Sequence, residues 1–330
     1  MKTMSQKESI NWGILGCGKI AHKFAEDLMT IHNASLYAVA SRDQKKAMRF
    51  AKIYNTSIYY GDYNDLVTDP LIDVIYIATP HVFHYDHTLL CLGHKKAVLC
   101  EKPFAMNEYQ VKEMIAVSKE NQVFLMEALW TYFLPHYEYV LELIKSNKLG
   151  AVKSLKADFG FASTFDPEGR LFNKKLGGGS LLDVGIYPLF AALSLLGFPE
   201  EIAAKATFGK TAIDENCTME LTYKNEMSAS LYSSITEETK TEAIIELEKG
   251  TITINSRFHE PSSIHIQEHN KKSELLEFPV HTNGYNFEAL HVQEMLQQGN
   301  TESTIMTFDK SLQLIRLLDK VREKINLQYD

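Results

Sequence analysis

Gly16, Cys17, Gly18, Lys19, Ile20 and Ala21 make a G-x-G-x-x-A run. Placed between a strand and a helix, such a run binds the pyrophosphate of a dinucleotide. The first glycine permits a tight turn, and the second lets the backbone approach the phosphates. The small residue at the end lets helix and strand pack closely. The helix behind it offers free N–H groups and a partial positive charge, so Gly16, Gly18, Lys19 and Ile20 are candidate cofactor-binding residues. A bare strand-to-helix turn is the competing reading. Where an NAD-binding chain carries an acid for the ribose 2′-hydroxyl, this sequence reads Ala40-Ser41-Arg42. A hydroxyl and a guanidinium suit a 2′-phosphate, because Arg makes charge-assisted hydrogen bonds to it. Lys46, one helical turn on, adds charge. Ser41, Arg42 and Lys46 therefore point to NADP, with NAD as the alternative. Asp43 competes for the inward place, and a solvated surface charge is the bland reading of Arg42.

The residues before and after this run must supply the strand and the helix. Ser9 to Leu15 reads as a strand, followed by a helical stretch to Met29. Ser35 to Ala40 is a second strand, and Gln44 to Tyr54 a charged helix. Asp73 to Ala78 is β-branched and aromatic, suiting a strand buried on both faces. Helices follow at His84 to Leu92 and from Asn107 to about Asn121, with strands at Ala97 to Cys100 and Val123 to Met126. Alternation of this kind implies βαβ units and a parallel, Rossmann-type sheet. After about residue 150 the period changes to two. Leu155, Ala157, Phe159 and Phe161 alternate with polar or small residues, and so do Cys217, Met219, Leu221 and Tyr223. Further strands are expected at 202–208, 229–235, 243–248, 251–255, 263–267 and 274–278, in a largely antiparallel sheet. Helices are expected at 136–147, 181–196, 285–298 and 307–325. The fold class is thus an α/β Rossmann domain over 1–125 and an α+β domain over 126–330.

The chain has 330 residues, about twice a usual domain, which agrees with two domains. It is 45% hydrophobic and 23% charged, which excludes disordered and fibrous classes. A net charge of -8 without a basic run argues against nucleic-acid partners and anionic membranes. No run of eighteen apolar residues suggests a membrane span, and the polar start lacks a secretory h-region. The four cysteines, Cys17, Cys91, Cys100 and Cys217, form no CxxC pair. They read as free thiols in a reducing cytoplasm.

Two later segments carry a resemblance. Glu101-Lys102-Pro103 follows the strand at 97–100, and Gly177 to Tyr187 reads GGGSLLDVGIY. Together they resemble the Gfo/Idh/MocA oxidoreductase family over nearly the whole chain. Leu125-Met126-Glu127-Ala128-Leu129-Trp130-Thr131 and the Asp-Val-Gly-Ile-Tyr form are similar to its dimeric dihydrodiol dehydrogenase branch, which includes NADP-dependent D-xylose dehydrogenases. The resemblance implies a large open C-terminal sheet whose exposed face forms a homodimer interface. It also implies a cis Lys102–Pro103 bond, a loop at Thr79 and Pro80 passing over the nicotinamide ribose, and cofactor contacts from His84, Glu101 and Lys102. His81 stands where relatives often carry Asn, a departure within that loop. His84 is retained and is expected to cap the helix that follows.

Oxidising a carbinol to a carbonyl by hydride transfer leaves an oxygen that must lose its proton. It needs a general base and a donor for the developing alkoxide. Lys102, just past a strand's C-terminal end, is the donor. Tyr187 stands where other family members carry His and is the candidate acid/base; a neighbouring cation such as Lys102 would lower its pKa. Asp183, four residues earlier, shares a face with Tyr187 if the helix is continuous, although Pro188 interrupts it. Asp183 would orient the substrate hydroxyl or Lys102. The bland readings are a core aromatic for Tyr187 and a helix cap for Asp183. Trp130 and Arg170 are candidates for the substrate wall, with a core Trp as the equal alternative. The irregular 163–179 stretch, with Phe165, Asp166 and Phe172, reads as a lid made mobile by the glycines at 177–179. His81, His84 and His87 do not line one helix face, and no HExxH or Cys cluster accompanies them, so no metal is expected. The expected activity is NADP-dependent hydride transfer on a small sugar, polyol or trans-dihydrodiol. The alternatives are a catalytically silent dinucleotide sensor and a redox-assisted glycosidase.

Overall fold

Two sheets organise the chain in the computed structural model, which describes residues 8–329. The first contains β1 (Ile10–Leu15), β2 (Ala34–Ala40), β3 (Ile58–Tyr60), β4 (Val74–Ile77), β5 (Ala97–Glu101) and β6 (Leu125–Ala128). All are parallel, in the order β3-β2-β1-β4-β5-β6. Val74 to Ile77 are fully buried, as expected of a strand covered on both faces. The connecting helices are α1 (Lys19–Leu28), α2 (Gln44–Ile53), α3 (Tyr63–Thr68), α4 (His84–Gly93) and α5 (Glu108–Asn121). Asn107 caps α5 by accepting from the Gln110 N–H. The pattern reading omitted β3 and α3. At 3 and 6 residues they are too short to show a period.

The chain clusters into two units, Met1–Tyr132 with His281–Leu312, and Phe133–Val280 with Gln313–Asp330. The first unit therefore gains α8 (Tyr285–Gln297), a segment distant in sequence. Asp27 on α1 explains the attachment. Its carboxylate accepts from the Asn283 N–H at 2.9 Å and the Tyr285 N–H at 2.7 Å, capping α8 from another helix. Gly284, at the N-cap, has no side chain to do this. The Trp12 indole N–H donates to Gln293 of α8 at 3.1 Å.

The second unit holds α6 (Pro135–Lys145), α7 (Ile186–Leu196) and eight strands: β7 (Val152–Gly160), β8 (Glu201–Phe208), β9 (Asp214–Thr222), β10 (Ser228–Ser234), β11 (Ala243–Leu247), β12 (Gly250–Ile254), β13 (Ile264–Glu268) and β14 (Glu274–Leu276). Their order is β14-β13-β12-β11-β7-β10-β9-β8. Only the β7–β10 pair is parallel, so the sheet is mixed but mostly antiparallel. Leu155, Ala157, Met219, Leu221, Leu231, Ile245 and Ile252 face inward and are buried, each of the larger ones worth about 1.5–3 kcal/mol. A last helix, α9 (Phe308–Lys324), begins in the first unit and ends in the second. The stretch 174–196 is long and apolar enough to cross a membrane by composition, but most of its apolar window is buried within the protein. Core segments of this kind meet the same criterion.

Candidate active site

The first unit gathers the dinucleotide residues at the carboxyl ends of β1, β2, β4 and β5. Gly16 has φ +100°, and a Cβ there would lie 3.0 Å from both the Ala78 carbonyl oxygen and Thr79 Cγ2. No side chain fits this turn. Gly18 is the N-cap of α1 and supplies no capping side chain, nor does the first turn carry an acid. The opening N–H groups of α1, from Lys19 and Ile20 onward, thus lack a side-chain acceptor, which is the arrangement a pyrophosphate satisfies. The turn and the uncapped helix fit a dinucleotide.

Ser41 is buried at the end of β2, and its hydroxyl accepts from the Asp43 N–H at 3.3 Å. Asp43 is spent as the N-cap of α2, accepting from the Lys45 and Lys46 N–H groups at 2.9 and 3.2 Å. It does not take the place of a ribose-binding acid. Arg42 lies with Cζ 5.2 Å from the Phe83 ring centroid and also bonds Tyr63. Lys46 is exposed, yet its charge is felt at Cys17 inside the glycine turn. Arg42 and Lys46 are thus cations that follow the buried Ser41 hydroxyl after β2.

The loops after β4 and β5 are tied together by His84. Its Nδ1 lies 2.8 Å from the Pro103 carbonyl oxygen and its Nε2 2.7 Å from that of Thr79. Both partners are acceptors, so a ring carrying both protons satisfies both. The expected capping role is not what the ring performs: His84 opens α4, and its side chain bridges two loops instead. His81 is buried with its ring edge-on to His84. Thr79 reaches His87 Nδ1 at 3.0 Å. Burial, with the charges of His84 and Arg42, lowers the His87 pKa to about 4, so this ring is neutral at neutral pH.

The Lys102–Pro103 bond is cis, as the resemblance implies. Lys102 is half-buried, and its backbone is held on three sides. Its N–H donates to the Glu101 carboxylate at 3.2 Å, the next carbonyl meets His84, and the Phe104 N–H donates to Glu127 at 3.0 Å. Glu101 also accepts from the Tyr76 hydroxyl, so these hydrogen bonds run to the protein itself. Glu288 of α8 is buried with no hydrogen-bond partner on either oxygen. Burial first, then Glu101 and Asp27, holds its carboxyl far above the usual range, and it stays protonated. Trp130 is 3% exposed and stacks flat on Tyr285, centroids 4.2 Å apart. Its placement is that of a packed core residue.

In the second unit the sequence reading brings Asp183, Arg170 and Tyr187 to one segment. Residues Leu181–Gly185 form a π-helical turn that runs directly into α7. Pro188 supplies no N–H at the third position of α7, and the widened turn precedes it. The segment is therefore continuous, with a wider turn than a plain α-helix. Arg170 donates to Asp183 at 2.6 Å, so that carboxylate is held by a guanidinium. Tyr187 is 6% exposed, with its ring 4.8 Å from His259 and 5.7 Å from Phe159. The 163–176 stretch is folded on itself: Phe165 meets Phe172 edge-on at 5.1 Å, and the Gly169 N–H donates to the Asp166 carbonyl at 3.0 Å. The glycines at 177–179, expected to give mobility, have a steric reason to be glycine. A Cβ at Gly178 would lie 2.6 Å from the Leu171 carbonyl oxygen, and Gly179 has φ +129°. Gly178 is glycine because backbone passes against backbone, and Gly179 because of its positive φ and the Asp214 side chain against it.

Glu127, Asp214 and Tyr329 are not singled out by the sequence. Each bonds a partner more than twenty residues away, and no local spacing marks such a partner.

The chain matches two family models, an oxidoreductase family with an NAD-binding Rossmann fold over residues 10–129 and the GFO/IDH/MocA C-terminal domain over 137–253. The trans-1,2-dihydrobenzene-1,2-diol dehydrogenase of Xenopus tropicalis is 37% identical over 330 residues, covering 96% of this chain and 98% of its own. The human protein of that name is 32% identical, covering 97% and 98%. Among solved structures, the 3-ketoreductase KijD10 from Actinomadura kijaniata, in complex with NADP and TDP-benzene, is similar with a TM-score of 0.88 at 24% identity, covering 96% of this chain and 98% of its own. The aldose-aldose oxidoreductase from Caulobacter crescentus has a TM-score of 0.88 at 23% identity over the same shares. With both of its units matched and relatives alike over nearly its full length, this chain belongs to the GFO/IDH/MocA oxidoreductase family.

Proposed function

We propose that the protein is an NADP-dependent oxidoreductase that moves a hydride between nicotinamide and a hydroxyl or carbonyl carbon of a small sugar, polyol or trans-dihydrodiol. The observation that carries this reading is the first unit's constellation. An uncapped α1 and the Gly16 turn suit a pyrophosphate, and a constrained Lys102 stands at the end of the same sheet. The dihydrodiol dehydrogenase relatives set the substrate class. Ser41, Arg42 and Lys46 favour the 2′-phosphate, and Asp43 is engaged elsewhere. Bound NADP would supply the hydride acceptor, or in its reduced form the donor.

The chain's own residues do the rest. Thr79, Pro80 and His84 shape the loop against the cofactor, and Glu101 holds the Lys102 backbone. The Lys102 ammonium donates a hydrogen bond to the reacting oxygen. Tyr187, as its phenolate, takes the hydroxyl proton in oxidation, or as the phenol gives its proton to the carbonyl oxygen in reduction. Asp183, oriented by Arg170, accepts from a substrate hydroxyl. We infer a cytoplasmic homodimer. Four buried free thiols support a reducing compartment, and the dimer rests on the family likeness. A screen of NADP and NAD against aldoses, polyols and dihydrodiols, read by absorbance of reduced nicotinamide, tests the activity. Turnover with NADP supports it, and NADP binding without turnover on any of these substrates counts against it. Sedimentation tests the dimer.

A further inference from the structure

The segment that carries Asp183 and Tyr187 is anchored by two residues that no part of the reaction above uses. Asp214, the first residue of β9, is wholly buried. Its Oδ2 accepts from the Leu181 N–H at 2.6 Å and the Ser180 hydroxyl at 2.8 Å. Its Oδ1 has no hydrogen-bond partner. The Ser180 hydroxyl also lies 3.0 Å from the Ser233 hydroxyl on β10, so two neighbouring strands hold the first residues of the π turn. Tyr329, beyond α9, reaches back and donates from its hydroxyl to the Gly178 carbonyl at 2.7 Å. Its ring lies 5.6 Å from Arg322 Cζ. The Gly178 N–H donates to the Asn173 carbonyl at 3.0 Å and the Gly179 N–H to the Leu171 carbonyl at 2.9 Å. Gly178 therefore joins the stretch carrying Arg170 to the stretch carrying Asp183, and Tyr329 pins that junction. A Cβ on Gly179 would collide with Asp214 Oδ1 and lie 3.1 Å from the Tyr329 hydroxyl, so both anchors converge on one backbone position.

We propose that Asp214 and Tyr329 are positioning residues: they fix the entry of the π turn, and with it the placement of Asp183 and the phenol of Tyr187. A helix start is free to shift or unwind unless its N–H groups are bound. Here the Leu181 N–H lies two residues before Asp183 and six before Tyr187. A buried carboxylate is a costly anchor unless its geometry serves something, and the strands already bury the apolar side of this segment. Small displacements of a reacting group lower turnover far more than they weaken binding of a ligand held elsewhere. The inference rests on the reading that Asp183 and Tyr187 act on substrate, so the test includes Tyr187→Phe as a separate arm.

The experiment measures kcat and KM with NADP against D-xylose and trans-1,2-dihydrobenzene-1,2-diol for the wild type, Tyr329→Phe, Asp214→Asn and Tyr187→Phe. Tyr329→Phe removes one hydroxyl close to the chain end, and its fold is checked by circular dichroism. We expect kcat to fall about fivefold in Tyr329→Phe, the worth of one neutral hydrogen bond, and about tenfold in Asp214→Asn. KM for NADP stays within about twofold of the wild type in both. Unchanged kcat in Tyr329→Phe and Asp214→Asn, with turnover abolished in Tyr187→Phe, overturns the proposal and leaves the reaction reading intact. Loss of NADP affinity in step with kcat overturns it too, since that marks general unfolding. Full turnover in Tyr187→Phe overturns the reading of Tyr187 itself, and the positioning role with it.

Discussion

Replacing Glu127 by Gln tests the description of the Lys102 turn through its stability. Glu127 is 2% exposed on β6, accepts from the Phe104 N–H at 3.0 Å and is bonded by the Ser311 side chain. Its other oxygen has no hydrogen-bond partner. Burial is the main cause that raises its pKa from the ordinary 4.5 to about 7; Glu101 also raises it, while the two hydrogen bonds and Lys102 pull it down. The folded state thus holds this proton more tightly than the unfolded chain. A raised acid adds stability that is complete below pH 4.5, drains away as the pH climbs, and is gone above about 7. Its full size is about 3 kcal/mol, at about 1.4 kcal/mol per unit of pH. The Gln variant keeps an oxygen for the Phe104 N–H and has no proton to lose. Denaturant unfolding at pH 5, 6, 7 and 8 is the assay, with the variant subtracted so that other carboxylates cancel. The variant should gain on the wild type by about 2 kcal/mol between the ends of that range. A flat difference, or one in which the variant loses ground as pH rises, would refute the assignment of a buried, proton-holding carboxyl beside this turn.

Three further outcomes follow from the same geometry. Gly16→Ala forces an L side chain to φ +100° against the Ala78 carbonyl; titration should show NADP binding weakened more than about tenfold, the backbone strain alone costing about 1–2 kcal/mol. Arg42→Ala should raise KM for NADP by about tenfold while leaving KM for NAD nearly unchanged, because only the 2′-phosphate loses a charge-assisted bond; equal loss for both cofactors would count against it. Arg170→Ala leaves Asp183 without the guanidinium that holds it at 2.6 Å, and kcat/KM should drop roughly tenfold, with NADP binding unchanged.

The fold was legible where a period persists or a motif has a physical cause. DVIYIA suited a doubly covered strand, and the alternation of Leu155, Ala157 and Phe159 faced one side of one sheet, as observed. Short elements escaped: β3 and α3 carry no period at their length. The parallel β7–β10 pair escaped as well, because register between distant strands is not written in either one. In the site, the family resemblance together with residue types named Arg170, Asp183 and Tyr187, and the structure joins the first two directly. The close approach at Gly178 and Gly179 was not legible, because sequence cannot separate a glycine needed for motion from one needed for close approach. Asp27 was invisible as a cap, since the helix it caps lies more than 250 residues away. A separation of 151 residues hid Tyr329 from Gly178.

The most direct test of the central claim is Lys102→Met, assayed beside the wild type for reduction of NADP with D-xylose and with trans-1,2-dihydrobenzene-1,2-diol. Methionine nearly matches the side-chain length and removes the ammonium, and the turn keeps its Glu101, His84 and Glu127 contacts through the backbone. The account predicts turnover by the wild type, a loss of kcat of at least about a hundredfold in the variant, and NADP affinity within a few-fold of the wild type. Turnover that survives the substitution would contradict the assignment of Lys102 to the reacting oxygen.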